Sequence, residues 1–354
     1  MKSAFLRVLR AFAFFAPSRE TNLLSKFAPF GECTPSRRMQ TRGYDHFVSL
    51  NHISVLLDEV VAAFEPVPGR RILDLTAGGG GHTEALLKAG ARVLATDADM
   101  EAVERVRTRL APWVQSGALQ VEQSWLDDAL AVAERAGMLP LDGVLADLGL
   151  SSFQLDEAER GFAFMREGPL DMRFDRTRGV SAADWIDQSN AAEIASALRA
   201  YGDVPQAWRV AEAIWIARPI RTTAQLRDVV GRSAAVRAGK IHPATLVFQA
   251  LRIVVNDELR RLQDALPLLA RALRPGGRIA VIAFHSLEDR IVKNVFRDMA
   301  RSSTPEPGYG GGEAQHAVLH VVTRDPIFPT ESEVAANPRA RSARLRVAER
   351  LPDL

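Results

Sequence analysis

The sequence has little cysteine: Cys33 stands alone among 354 residues. A disulfide framework is thereby excluded, a cysteine-built zinc site has no material, and a reducing compartment fits. Long hydrophobic runs are also missing. No segment offers the roughly 18 uninterrupted apolar residues that a membrane span needs, and "AFAFFA" near the start is short and flanked by arginines. Net charge is nearly absent too, at +2, so global charge points to no class of partner. What is present is an ordinary globular mixture, 47% hydrophobic and 25% charged, in a length that suits two domains or one domain with a large insertion. Charge is uneven locally. Residues 339–350, "RARSARLRVAER", hold five arginines and one acid, and residues 271–301 hold seven Lys/Arg. Such runs are normally solvated faces, and they also suit a polyanion.

Residues 1–45 differ from the rest, with eight Lys/Arg, three acids and no sustained periodicity. They read as a disordered extension, or as an over-long start with Met39 as the true first residue. A targeting peptide is the alternative, since transit peptides are rich in Arg and Ser and poor in acids. The corresponding expectation for location is the cytoplasm, or the mitochondrial matrix if the segment is a transit peptide.

From about residue 50, strands and helices alternate. "RILDLTA", "RVLATDAD", "LQVEQSW" and "LDGVLADLG" read as strands, each followed by a helical pattern. That rhythm argues for parallel strands with helical crossovers. It breaks over 151–245, which holds helical patterns and no comparable strand. It returns with Val255, Leu259, Leu262, Leu266, Leu269 and Leu273, spaced to share one helical face that Pro267 would kink. "RIAVIAFHS" is a fifth strand and "AVLHVVT" a last one. The expected architecture is α/β, a Rossmann-like, mostly parallel doubly wound sheet. Its core comprises residues 46–150 and 250–354, with an inserted α-helical domain over 151–249.

The stretch "ILDLTAGGGGHTEALL" joins the first strand to a helix through four glycines. Glycines let a backbone turn tightly and approach a ligand. A nicotinamide fingerprint, G-x-G-x-x-G, is met by Gly78 and Gly80 but fails at Thr83. The pattern acid-x-G-x-G-x-G fits better, as Asp74, Thr76, Gly78 and Gly80, with threonine at the first glycine. It resembles the first motif of class I S-adenosylmethionine (SAM) methyltransferases. Asp97 ends the second strand about 20 residues on, where a carboxylate accepts from both ribose hydroxyls. Trp125 ends the third strand, where an aromatic either stacks on adenine or packs. Asp147 ends the fourth, at the sheet edge where this kind of fold places ligands.

Longer strings carry a more specific resemblance. "HISVLLDEVV", "GGGGHT", "DLGLSSFQLDEAERGFAFMREGPLDMRFD", "HPATLVFQALRIVVNDEL", "FHSLEDRIVK" and "NPRARSARLRVAER" together resemble the MraW (RsmH) family of small-subunit ribosomal RNA (cytosine-N4)-methyltransferases. The resemblance runs in order from about His52 to Arg350. It implies a class I methyltransferase core with an inserted helical substrate-recognition domain. It also implies SAM as cofactor and the small-subunit rRNA or small subunit as partner, with no membrane; a homodimer is left open. By match of motif, Gly80, Gly81 and His82 are implied as cofactor contacts. Asp97 is the ribose acid, Trp125 the aromatic after strand three, and Asp147 and Gln154 complete the set with Asp74 and Gly78. The loop lacks the aromatic and basic residues expected of the family, and Leu246 replaces an arginine in the insertion.

The implied reaction is displacement of methyl from a sulfonium by an exocyclic amine whose lone pair is delocalised into the pyrimidine. An acceptor on N4–H would localise that pair and take the proton. Asp147, Ser151 and Ser152 are the candidates, with a role for Asp147 in holding SAM alone as the alternative. His285, at the end of strand five, reads as a pocket residue touching a flipped base or as a structural histidine. His52 and His242 read as structural or RNA-facing. Asp171, Met172 and Arg173 shape the mouth of the site or pack the insertion. Arg173, Arg252, Arg290 and Lys293 are the candidate phosphate contacts, and no metal site is expected. Two rival functions stay open. One is a DNA amino-methyltransferase, against which "DLGLSS" lacks the expected Pro-Pro-aromatic motif. The other is a SAM-binding RNA-binding or ribosome-assembly protein without turnover.

Overall fold

A computed structural model of the chain describes residues 54–65, 68–233, 242–302 and 316–353. The extension over 1–45, together with Cys33, Met39 and His52, lies outside the described residues. Helix α1 (Leu57–Phe64) leads into β1 (Arg71–Asp74), α2 (Gly81–Lys88) and β2 (Arg92–Asp97). Helices α3 (Met100–Arg109) and α4 (Ala111–Gln115) precede β3 (Leu119–Gln123). Helix α5 (Ala129–Arg135) then leads to β4 (Leu141–Asp147). The strands are apolar on both faces because helices cover both. Ile72 and Val93 pack with α1, α2 and α3, whereas Leu73 and Val144 pack with α5 and the helix that precedes the fifth strand.

After β4 the chain leaves the sheet. A short helix α6 (Ser152–Asp156) and a glycine-rich loop lead to α7 (Ala182–Gln188), α8 (Ala191–Gly202), α9 (Ala207–Ile216), α10 (Thr223–Ser233) and α11 (Pro243–Asn256). These helices bury a core of their own around Ile194, Leu198, Ile214, Leu226 and Leu251. The chain returns through α12 (Glu258–Ala272) and β5 (Leu273–Ala283). It continues with α13 (Ser286–Met299), β6 (Leu319–Val321), α14 (Glu331–Ala336) and β7 (Arg344–Arg350).

The sheet has seven strands among the described residues, in the order β3-β2-β1-β4-β5-β7-β6. Strands β1 to β5 are parallel, whereas β7 runs antiparallel to both β5 and β6. This is the class I methyltransferase sheet, with the expected doubly wound parallel core. The strand order reverses between β1 and β4, so their carboxyl ends, Asp74 and Asp147, flank the crevice where such sheets bind ligands.

Two local expectations need correction. Val255 to Leu273 is not one helix. Asp257, at φ 52° and ψ 37°, separates α11 from α12, and Leu273 already belongs to β5. Val255 accordingly packs in the helical layer while Leu262, Leu266 and Leu269 pack under the sheet. The arginine-rich 339–350 run is not a solvated face either. Its second half is β7, whose Leu345 and Val347 alternate into the core beside β5. Arg346 points the other way and is neutralised by Asp289 of α13, Nε to Oδ1 at 2.6 Å.

Leu345 is fully buried, and a large-to-small change there leaves a cavity. Leu345→Ala is expected to lower unfolding stability by about 2–5 kcal/mol, read as a shift in the denaturant midpoint.

Candidate active site

The glycine run needs its glycines for three different reasons. Gly78 has φ +50° and its N–H donates to Asp97 Oδ2 at 2.9 Å. Gly80 has φ +80° and precedes α2; its side-chain position faces Val106 of α3 and Leu110, the residue that ends that helix. At Gly81 a Cβ would stand 2.0 Å from Ser54 Oγ. Gly78, Gly79 and Gly81 line a cleft, while Gly80 shapes the loop from behind.

The walls of that cleft come from all the strand ends at this edge. His82, Asp97, Trp125, Asp147, Ser151, Ser152 and Gln154 are brought together there. Asp97 accepts from Gly78 N through one oxygen and from Asp99 N, at 2.9 Å, through the other. Burial pushes its carboxyl up to about 7, against the pull of those two backbone donors. Nε2 of His82 lies 3.5 Å from Asp147 Oδ2, and Oδ1 of Asp147 is buried without a hydrogen-bond partner. Burial works to lower the basicity of His82, but Asp147 and Asp74 outweigh it and raise it. Trp125 takes the Arg261 guanidinium over its ring at 4.2 Å, and its Nε1 has no partner.

Several expected contacts lie outside the cleft or are already engaged within it. Asp74 does not line the cleft: its carboxylate is spent on Thr83 Oγ1 at 2.6 Å and Thr76 N at 3.2 Å, and burial raises its pKa. It fixes the loop rather than a ligand. The amide of Gln154 is a strut, accepting from Ser151 N and donating to Asp99 Oδ2 at 2.8 Å. Ser151 is the other half of that capping box, so its hydroxyl already accepts from Gln154 N. His285 caps α13: Nδ1 accepts from Glu288 N, and Nε2 stands 3.2 Å from Glu288 Oε1. His242 similarly caps α11 and stacks on Phe164.

The four phosphate candidates divide in the same way. Arg173 is locked by a two-pronged bond to Asp171, at 2.8 and 2.9 Å, within a loop where the buried Met172 adopts φ 63°. Arg252 is mostly buried and paired with Glu258 at 2.8 Å. Arg290 and Lys293 are exposed on α13, with no ion pair to any described residue.

A second tier of residues was not singled out in the sequence. Phe174, Asn256, Glu258, Arg261, Phe284 and Glu288 also line the cleft, though most lie in strings that carried the family resemblance. Arg160 joins them to the cofactor side. Its buried guanidinium donates to Asp99 Oδ2 at 2.6 Å, to Glu101 at 3.0 Å and to the carbonyls of Arg173 and Phe174. Asn256 holds the same loop, accepting from Phe174 N and donating to Met172 O, each at 2.8 Å.

The residues present fit SAM. A bare backbone with positive φ at Gly78 gives close approach, and a carboxylate stands at the ribose position of such folds. An aromatic and orphaned buried polar atoms on Asp147 and Trp125 remain to be satisfied.

Residues 49–351 match the MraW methylase family. A relative from Thermomicrobium roseum, named ribosomal RNA small subunit methyltransferase H, is 46% identical over 311 residues, covering 86% of this chain and 95% of its own. A protein of the same name from Deinococcus deserti is 45% identical over 306 residues, covering 86% and 94%. A crystal structure described as a putative rRNA-methylase from Clostridium thermocellum aligns over 85% of this chain at 11% identity, with a TM-score of 0.40. No described helix is long and apolar enough to cross a membrane.

At the ribose position of such folds a carboxylate would accept from hydroxyls best when ionised. With the pKa of Asp97 near 7 in the free protein, SAM affinity is expected to hold a plateau above pH 8 and to weaken about tenfold by pH 6. Calorimetric titration across that range checks this. Asp97→Asn should bind more weakly and show no such step.

Proposed function

The chain belongs to the MraW methylase family, and we propose that it methylates the exocyclic N4 of a cytidine in small-subunit ribosomal RNA. It is a SAM-dependent methyltransferase. The observation that carries the N4 reading is Asp147, whose Oδ1 is buried and unpartnered in the glycine-loop cleft while His82 Nε2 stands 3.5 Å from its other oxygen.

Gly78, Gly81, Asp97 and Trp125 would hold the cofactor along the ends of β1, β2 and β3. SAM, when bound, supplies an electrophilic methyl whose bond to sulfur breaks as the bond to N4 forms, the electron pair returning to sulfur. The protein's task is the amine. In cytosine its lone pair is delocalised, and an acceptor on N4–H draws it back onto nitrogen. Asp147 is that acceptor, and it receives the proton that N4 loses on methylation. His82, whose basicity its neighbouring carboxylates raise, keeps Asp147 oriented. Most of the acceleration comes from holding amine and methyl in line, which supplies roughly 7–11 kcal/mol.

A base inside folded RNA must be unstacked to reach the cleft. Arg290 and Lys293 are the phosphate contacts of this reading, and the helical layer α7 to α11 with its entry loop is the part that recognises the RNA. The cytoplasm is the compartment that such a reaction calls for.

Incubation of small subunits lacking the modification with labelled SAM, followed by mass mapping, should place the label on one cytidine N4; label on another atom or base refutes the assignment. Asp147→Asn should abolish turnover with SAM affinity within a few-fold of wild type. An equal loss of both would make Asp147 a cofactor-binding residue.

A further inference from the structure

The floor of the cleft beyond Asp147 carries a charged cluster that the reaction, as described, does not use. Glu258 and Glu288 both line the cleft, with Arg252 between them. Their carboxylates are in different states. Glu288 is fully engaged: Oε2 accepts from Phe284 N at 2.9 Å and His285 N at 3.2 Å, while Oε1 faces His285 Nε2 and, at 3.9 Å, Arg252 Nη2. Glu258 is half engaged. Its Oε1 accepts from Arg252 Nε at 2.8 Å, whereas Oε2 has no partner among the described residues and is not sealed from solvent.

The backbone leading into this residue is fixed twice. Asp257, in the left-handed conformation, turns the chain so that Glu258 begins α12 at the cleft. Asn256 anchors the preceding residue to the loop that brings Phe174 into the same wall. A carboxylate with one oxygen clamped and the other unpartnered, on a residue that lines a ligand cleft, is a built acceptor rather than a solvated side chain.

The chemistry it suits follows from the substrate. An exocyclic amine has two N–H bonds, and moving it from water into a cleft removes the partners of both. Asp147 Oδ1 satisfies one. We propose that Glu258 is a specificity-determining residue, accepting the second N4–H of the cytosine through Oε2 while Arg252 holds Oε1. Uracil presents a carbonyl oxygen at that position, and a carboxylate repels it. Engaging both N–H bonds also returns the lone pair to N4, so the contact serves rate as well as selection. This assignment rests on the cytosine-N4 reading above.

The test compares Glu258→Ala and Glu258→Gln with wild type. The readouts are kcat/KM on small subunits lacking the modification, and SAM affinity and thermal midpoint measured separately. Glu258→Ala should lower kcat/KM by roughly ten- to a hundred-fold with SAM affinity within about two-fold. Glu258→Gln has one amide oxygen for the two acceptor roles and turns an NH2 against either Arg252 or N4–H, so its kcat/KM should fall as well, with SAM affinity and thermal midpoint kept. A rate for Glu258→Ala within two-fold of wild type overturns the assignment. So does a parallel fall in SAM affinity and midpoint, which would make Glu258 only the structural partner of Arg252. A wild-type protein that binds SAM but methylates no cytidine sinks the reaction reading, and this assignment with it.

Discussion

One buried cation joins the two halves of the molecule. Arg160 lies in the loop that leaves the sheet after β4, and it is almost wholly inaccessible. Its guanidinium reaches Asp99, the residue that caps α3 two positions after Asp97, and also the carbonyls of Arg173 and Phe174. A buried charge persists only where it is paired and hydrogen-bonded, and removing one partner is severely destabilising. Gln154 meets the same Asp99 oxygen. The ribose side of the cleft and the loop that walls its far side thus share one anchor. The glycines around it are steric necessities: a Cβ at Gly161 would stand 2.3 Å from Pro169 O, and one at Gly168 would stand 1.9 Å from Ala158 O.

The cleft is acidic where a sulfonium and an amine would sit. Asp97, Asp147, Glu258 and Glu288 line it, and their charge is balanced locally by His82, Arg252 and Arg261. These cations do not compete for ligand. Arg252 is tied to Glu258, and Arg261 lies over Trp125 and bonds to Asp127. A cationic donor is attracted, and although Glu288 is fully engaged, Asp147 and Glu258 each keep an oxygen able to accept a new hydrogen bond. The free oxygens of Asp147 and Glu258 are what this balance leaves over.

The sheet, the glycine loop and the strand-end acids Asp97 and Asp147 were legible because each is a local pattern: an apolar strand, a turn that excludes side chains, a polar residue at the strand's end. Asp74 was misplaced because sequence shows an acid beside the glycines but not the Thr83 hydroxyl that returns one helical turn later to consume it. Arg173 and Arg252 looked like phosphate ligands because basic residues are read as free until their partners are seen. Asp171 is two residues away from Arg173, and Glu258 lies across the bend at Asp257. Strand β7 was hidden for a related reason. Its period-2 pattern is present in Leu345 and Val347, but the arginines between them suggested solvent, and only the fold supplies Asp289 opposite Arg346. His285 and Ser151 were read for chemistry when their positions before α13 and α6 made them caps.

Strand β7 follows every other strand along the chain yet sits inside the sheet, between β5 and β6. During synthesis β5 must therefore wait with an open flank until Arg344–Arg350 has emerged. Neighbouring β6, made earlier, has nothing to pair with in the meantime. Closing the sheet therefore waits on the emergence of β7. A nascent chain stalled short of Arg344 would present an unpaired apolar edge to the ribosome's surroundings.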